Sequence, residues 1–280
     1  MLGFALGLAA SVSWGISDFL GGLQTRRFSA LSVLVVTQPL GALLAFAVAI
    51  AFAHESLPAA QWALAAAGGA TAVLALGAFY RAMALGSVSV VATIGALGVI
   101  VPTVGGIVHG ETPAGLQAVG AVVAVAAVML VAREPDGERR EANRESVGLA
   151  ALAALGFGTF FLAIDGAAAH DPAWTIAAAR AGAVALLAVA ALWMRPRLPP
   201  AHGTVLVALL AIGFLDVLAN SLYAVATTEG ILPLVAVAAS LYSAVTVLLA
   251  RFVLGERLAR SQRAGIVVAL AGVAMIAAGG

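Results

Sequence analysis

A motif that occurs twice constrains this chain more than any other feature. Gly110-Glu111 is followed after five residues by Gln117 and after two more by Gly120, and Gly255-Glu256, Gln262 and Gly265 repeat the spacing, each displaced by 145 residues. The register continues beyond the last glycine, where Val122, Val123, Ala124, Ala126 and Val128 meet Val267, Val268, Ala269, Ala271 and Val273. Upstream, Tyr80 and Gly86 answer Tyr223 and Gly230 at offsets of 143 and 144, as small insertions would produce. Matches of Ala to Val are cheap in so apolar a chain, so the Gly-Glu, Gln and Gly skeleton carries the argument. The 280 residues read as two related halves.

The medium for those halves follows from composition. Hydrophobic residues make up 63%, charged residues 10%, and the mean hydropathy is +1.09, whereas a soluble domain carries about a quarter charged residues. Such a chain belongs in a lipid bilayer. The first apolar stretch has no basic leader and is interrupted by Asp18, so it is expected to stay as a helix and not to be cleaved. Without cysteine there is no thiolate metal site, and without lysine no phosphate-binding loop of the Walker type. The four histidines, His54, His109, His170 and His202, lie in different loops with no ligand spacing, so neither metal nor cofactor is expected. A net charge of +1 with basic residues confined to short loops offers nothing to nucleic acid.

Spans of about 20 apolar residues cross a bilayer. Turn and charge signals divide the sequence into ten: 2–22, 30–53, 61–83, 88–108 and 113–132, then 147–168, 173–194, 203–227, 231–252 and 263–279. The expected domains are therefore a first five-helix repeat over 1–132, a charged linker over 133–146 holding nine of the chain's 27 charged residues, and a second five-helix repeat over 147–280. Five spans per half is an odd number, so the second half must enter the membrane from the opposite side. The expected fold is all-α and integral to the membrane, with ten transmembrane helices as two inverted repeats around a central cavity, an architecture common among secondary transporters. Thirteen of the fourteen arginines fall in loops that follow odd-numbered spans. The positive-inside rule then puts those loops in the cytoplasm and both termini outside.

These features together resemble the EamA-domain transporters of the drug/metabolite transporter superfamily over essentially the whole chain. The resemblance rests on Trp14-Gly15, on Tyr80 to Val90, on Leu97 to Glu111, and on Leu241-Tyr242-Ser243 through Gly255-Glu256 to Gln262 and Gly265. Proline is usual in the family where Ser243 stands, and members are commonly described with cytoplasmic termini, opposite to the arginine count. The resemblance implies that spans one to four and six to nine surround the cavity, with the fifth and tenth outside. It implies export of small metabolites such as amino acids, purines or sugars, and the expected location is a bacterial inner (plasma) membrane. Lipid and a small solute are the expected partners; nothing in the sequence decides between monomer and homodimer.

An ionisable group within a span costs at least about 2.5 kcal/mol on insertion scales and normally faces a cavity or a partner. Asp18, Asp165, Arg180 and Asp216 stand out here. Asp18 and Asp165 read as helix-end carboxylates or structural ion pairs, with a proton-coupling role open to Asp18. Arg180 reads either as the partner of Asp165 or Asp216 or as a guanidinium for an anionic solute group. Asp216, Asn220, Tyr223 and Thr227 recur at helical spacing and share one stripe of the eighth span. A polar stripe cannot face hydrocarbon without cost, so Asp216 is expected beside a wet cavity, holding a cationic group or a proton. Tyr80 and Tyr223, equivalent in the repeat, are expected to give that cavity one aromatic from each half.

Trp14 shares a stripe with Ser11 and Asp18 and reads as part of the cavity wall, ahead of the alternative of an interfacial anchor. Gln38, Thr93, Ser240 and Tyr242 are weaker candidates, for which hydrogen bonding between helices competes with solute contact. Glu111 and Glu256 sit in loops on opposite faces and cannot form an acid/base pair. Each is expected to cap the next helix or to tie its loop through Gln117 or Gln262.

The working reading is a secondary transporter or facilitator of a small polar or amphipathic solute. The alternatives are a non-transporting receptor or assembly subunit and, further off, an intramembrane enzyme, for which no catalytic motif stands in the sequence. On the arginine count, a topology reporter fused after Gly280 should report an exterior C-terminus, and one within 133–146 should report cytoplasm. The opposite pair of results would mean that the charge bias does not set orientation here.

Overall fold

In hydrocarbon every backbone N–H and C=O must find its partner within the protein, which leaves helices as the economical solution for an apolar chain. The computed structural model describes residues 1–53, 55–86, 88–131, 144–200, 202–254 and 260–279, and every element in them is helical. The first half contains α1 (Leu2–Thr25), α2 (Ala30–Phe52), α3 (Ala59–Leu85), α4 (Val88–Ala96), a 3-10 turn (Leu97–Val99), α5 (Ile100–Val108) and α6 (Gly115–Val131). The second contains α7 (Arg144–Ala168), α8 (Pro172–Met194), α9 (Gly203–Thr228), α10 (Leu232–Ser240), α11 (Tyr242–Leu254) and α12 (Arg260–Ala278). Seven segments are long and apolar enough to cross a membrane, the last being Leu232–Val253, and three shorter apolar helices cover Ile94–Val108, Gly115–Ala127 and Val267–Ile276. Most of the linker, 133–143, and the second-half motif residues Gly255 and Glu256 lie outside the described residues, as does the side chain of Gln262.

Local chemistry accounts for several helix starts. The Ser29 hydroxyl accepts from the Ser32 N–H at 3.1 Å to cap α2, and the Asp171 carboxylate accepts from the Trp174 N–H at 2.8 Å ahead of Pro172 to cap α8. The Gln117 side chain reaches back to the Ala114 N–H at 3.0 Å and closes the turn into α6.

Glu111 departs from expectation. Its carboxylate accepts the Leu232 N–H at 2.6 Å, and so caps α10 of the other half and not the helix that follows it. The close packing of Gly106 against Pro233 brings the two segments together, and the free N–H groups at a helix start attract a carboxylate.

The fourth and ninth apolar stretches are single spans on the sequence reading but are broken helices in the structure. Pro102 lacks an N–H and its ring crowds the Gly98 carbonyl four residues earlier, so the chain tightens into the 3-10 turn over Leu97–Val99. No proline stands at the second break. There Leu241 bonds back to Ala238, and the Ser240, Ser243 and Thr246 hydroxyls engage the carbonyls of Val237, Ser240 and Tyr242, local bonds that compete with a regular helix. Both breaks fall at equivalent positions, Leu97 and Leu241 being 144 residues apart.

The packing is symmetric under exchange of the halves. Helix α1 lies antiparallel on α9, with Ser13 and Ser17 donating to the Leu215 and Ile212 carbonyls at 2.8 and 3.2 Å. Helix α7 lies likewise on α3, where Ser146 donates to the Ala82 carbonyl at 3.1 Å. Helix α1 runs parallel to α10 and α11, Gly7 meeting Ala238 and Gly15 meeting Val245, as α7 runs along α4 and α5, where Gly98 meets Ala154 and Gly105 meets Leu162. Helices α2 and α8 meet each other, as do α5 and α10, α4 and α11, and α6 and α12. The last pair close on each other through Gly120 and Gly272, beside the bundle that the other helices form.

The tightest crossing joins α3 and α8. A Cβ on Gly69 would lie 1.8 Å from the Ala179 carbonyl oxygen, and one on Gly182 would lie 2.0 Å from that of Ala66. Gly69→Ala should therefore force the helices apart and cost about 1–3 kcal/mol, read as a lowered unfolding temperature of the purified protein in micelles. Gly148→Ala, on an open face of α7 with nothing within 4 Å of the added carbon, should be neutral or slightly stabilising. Equal losses at both positions would contradict the crossing geometry.

Candidate functional site

The polar residues of five helices converge on one cavity of about 60 Å³, room for several water molecules by the ~10–15 Å³ that one requires. Helix α1 contributes Trp14 and Asp18, α2 Gln38, α8 Arg180, α9 Asp216 and Asn220, and α11 Tyr242. Phe157, Phe160 and Phe161 of α7 and the Gly69 to Leu76 face of α3 complete an otherwise apolar lining. Both halves build the walls.

One network fixes the polar side. Arg180 Nη1 donates to Asp216 Oδ2 at 2.8 Å and to Gln38 Oε1 at 2.5 Å, while Gln38 Nε2 donates to the same Asp216 Oδ2 at 3.0 Å. Asn220, one helical turn along α9, donates from Nδ2 to Asp216 Oδ1 at 3.1 Å and to the Asp216 carbonyl at 2.6 Å. Both carboxylate oxygens are thus occupied, and all four side chains are buried. The partner of Arg180 is Asp216, one of the two carboxylates that the sequence offered. Removing one member of such a buried pair leaves an uncompensated charge and costs about 3–5 kcal/mol. Arg180 Nη2 is buried without a hydrogen-bond partner.

Asp18 behaves differently. The residue lines the cavity and is only 7% exposed, and among the described residues it makes no side-chain hydrogen bond or ion pair. Asp165, in the last turn of α7, is half-buried and does not line the cavity.

The aromatic residues divide into a wall and a layer behind it. Trp14 packs on Phe161 with ring centroids 5.3 Å apart, and Tyr223 stacks behind both at 5.8 and 4.7 Å. Tyr80 is buried against Phe79, and its hydroxyl lies where a side chain on Gly21 would stand. Neither Tyr80 nor Tyr223 lines the cavity. Tyr223, seven residues after Asp216 on α9, packs against Trp14 and Phe161 outside the lining, and Thr227 bonds its own helix at the Ala224 carbonyl. Tyr242 does line the cavity, at the break between α10 and α11, with its hydroxyl unpartnered. The Thr93 side chain lies outside what the structure describes, and Ser240 bonds back to Val237.

The aromatic residues that α7 lends to the wall escaped the sequence reading, as did the wall's small and aliphatic residues. Phe157, Phe160 and Phe161 recur at helical spacing, a signal that was present but indistinguishable from core or lipid-facing packing in an apolar chain.

The sequence profile of the EamA-like transporter family matches this chain twice, over residues 1–133 and 145–278. A solved structure titled only "Crystal structure of protein" superposes with a TM-score of 0.79 at 15% identity, covering 98% of this chain and 95% of that one. At that identity it speaks for the fold alone. No curated protein matches. With both halves matched, the chain belongs to the EamA-like transporter family, of the drug/metabolite type, and is a multi-pass integral membrane protein acting on a small molecule.

Proposed function

We propose that this protein is a secondary transporter or facilitator, working in a bacterial inner (plasma) membrane, that moves a small solute, amino-acid-like or otherwise polar or amphipathic, by alternating access and in the export direction. In this reading the chain crosses the bilayer ten times, as two inverted five-helix repeats over 1–132 and 147–280 joined by the 133–146 linker. The observation that carries it is the cavity: it lies between the halves, each half supplies part of its wall, and it holds buried charge beside an aromatic face. Supporting it are the broken helices in equivalent positions of both halves, a feature of transporter sites, and the exchange symmetry of the packing, which gives the cavity two related ways to open. The solute-facing residues in this reading are Trp14, Asp18, Thr93, Arg180, Asp216, Asn220 and Tyr242, with Tyr80 and Tyr223 as support behind the wall.

The direct experiment is flux into proteoliposomes holding the purified full chain, assayed against a broad metabolite panel by uptake and by counterflow. Absence of both for every compound would sink the proposal.

The Arg180–Asp216 pair makes a sharper prediction. Arg180→Ala should destabilise the protein by about 3–5 kcal/mol, because Asp216 is left charged and buried, and its level in the membrane should fall. Adding Asp216→Ala removes the stranded charge and should restore accumulation, while transport stays at least tenfold below wild type. Full transport by the double variant would make the pair a packing device and nothing more.

A further inference from the structure

The charges that face the cavity do not balance. Asp18, Asp216 and Arg180 all line it, so two carboxylates stand against one guanidinium. Asp216 is consumed by Arg180, Gln38 and Asn220, which occupy both of its oxygens. Asp18 is left over, nearly buried and without a hydrogen bond or ion pair among the described residues. A lone buried carboxylate in a cavity walled by Trp14, Phe157, Phe161 and Tyr242 is costly when ionised and unpaired.

Two species can neutralise it: a proton, or a cation small enough to enter. The wall suits the second. Trp14 stands one helical turn before Asp18 on α1, and Tyr242 borders the same space. An ammonium held at the carboxylate would therefore meet aromatic rings as well as the charge, with an apolar body lying along the phenylalanines of α7. A net-cationic solute brings the cavity to neutrality, a zwitterion leaves the excess negative charge in place, and an anion doubles it.

We propose that Asp18 is the binding carboxylate of the site and that its ligand is an amphipathic primary amine in the ammonium form, which exchanges one-for-one with a proton on Asp18. This assignment rests on the transporter reading for its physiological use, and it narrows the solute class to organic cations. The other titratable groups that face Asp18 are Tyr80 of α3, Arg180 of α8, Asp216 of α9 and Tyr242 of α11; α2 and α10, also against α1, carry none. The sign of the pH effect follows from the carboxylate. Only its ionised form holds an ammonium, so affinity should weaken as pH falls, and binding should release a proton.

The test uses the purified full chain with phenethylamine as probe, compared with 2-phenylethanol, 3-phenylpropanoate and phenylalanine, by calorimetry and by proton release in weakly buffered solution. Phenethylamine should bind at least tenfold more tightly than the other three and release up to one proton. Asp18→Asn should lose at least tenfold in affinity together with the proton release, and Asp18→Glu should retain both. Equal binding of the alcohol or of phenylalanine, or preferential binding of the propanoate, would overturn the assignment. So would phenethylamine binding in Asp18→Asn at wild-type affinity, or the absence of phenethylamine binding from a wild-type chain that unfolds cooperatively. Flux is scored separately: Asp18-dependent amine binding without transport of any solute would sink the transporter reading and leave the site, and transport of other solutes without amine binding would do the reverse.

Discussion

Hydrocarbon supplies no hydrogen-bond partner, and the rest of this structure follows from that single deprivation. It turns the backbone into helices and drives hydroxyls onto carbonyls, their own helix's or a neighbour's, as Ser13, Ser17, Ser146 and Thr246 show by bonding across to another helix. It also explains why the few charged side chains within the spans gather in the interior. Where a helix must break, the loss has to be made good locally, and the break after Ser240 does so with serine and threonine hydroxyls. Even the capping of α10 is subcontracted, since its first N–H is satisfied by a carboxylate 121 residues upstream.

The same constraint separates the two intramembrane aspartates of the cavity by role. Asp216 has its charge matched and both oxygens occupied, so it is held in place where it faces the void. Asp18 has neither. A cavity of this kind is rigid on one side, where the Gln38, Arg180, Asp216 and Asn220 network ties α2, α8 and α9 together, and chemically unfinished on the other.

The sequence was most legible where periodicity and repetition speak. The doubled Gly-Glu motif pointed to two halves, and the ends of the apolar stretches fall within three residues of the helix ends. Arg180 and Asp216 were identifiable because charge is conspicuous against lipid, and their pairing stood among the alternatives. Rotation about a helix axis was not legible. Tyr223 shares a stripe with Asp216 on an ideal helix, yet one further turn carries it behind Trp14. Equally, Asp18 looked like a helix-end group because counting residues from a terminus measures depth and says nothing of what the neighbouring helices enclose. The breaks near Leu97 and Leu241 were hidden inside apolar runs, and only Pro102 betrayed the first.

Where α3 crosses α8, Gly69 rests on the Ala179 carbonyl and Gly182 on that of Ala66, so the helices touch backbone to backbone. Ordinary helix packing lodges ridges of side chains in grooves, and turning one helix then means lifting teeth out of a gear. This contact has no teeth. It sets how far apart the two axes lie by main-chain atoms alone, which no side-chain rotamer can adjust. Both helices also wall the cavity, so its width on that side is gauged by the peptide backbone itself.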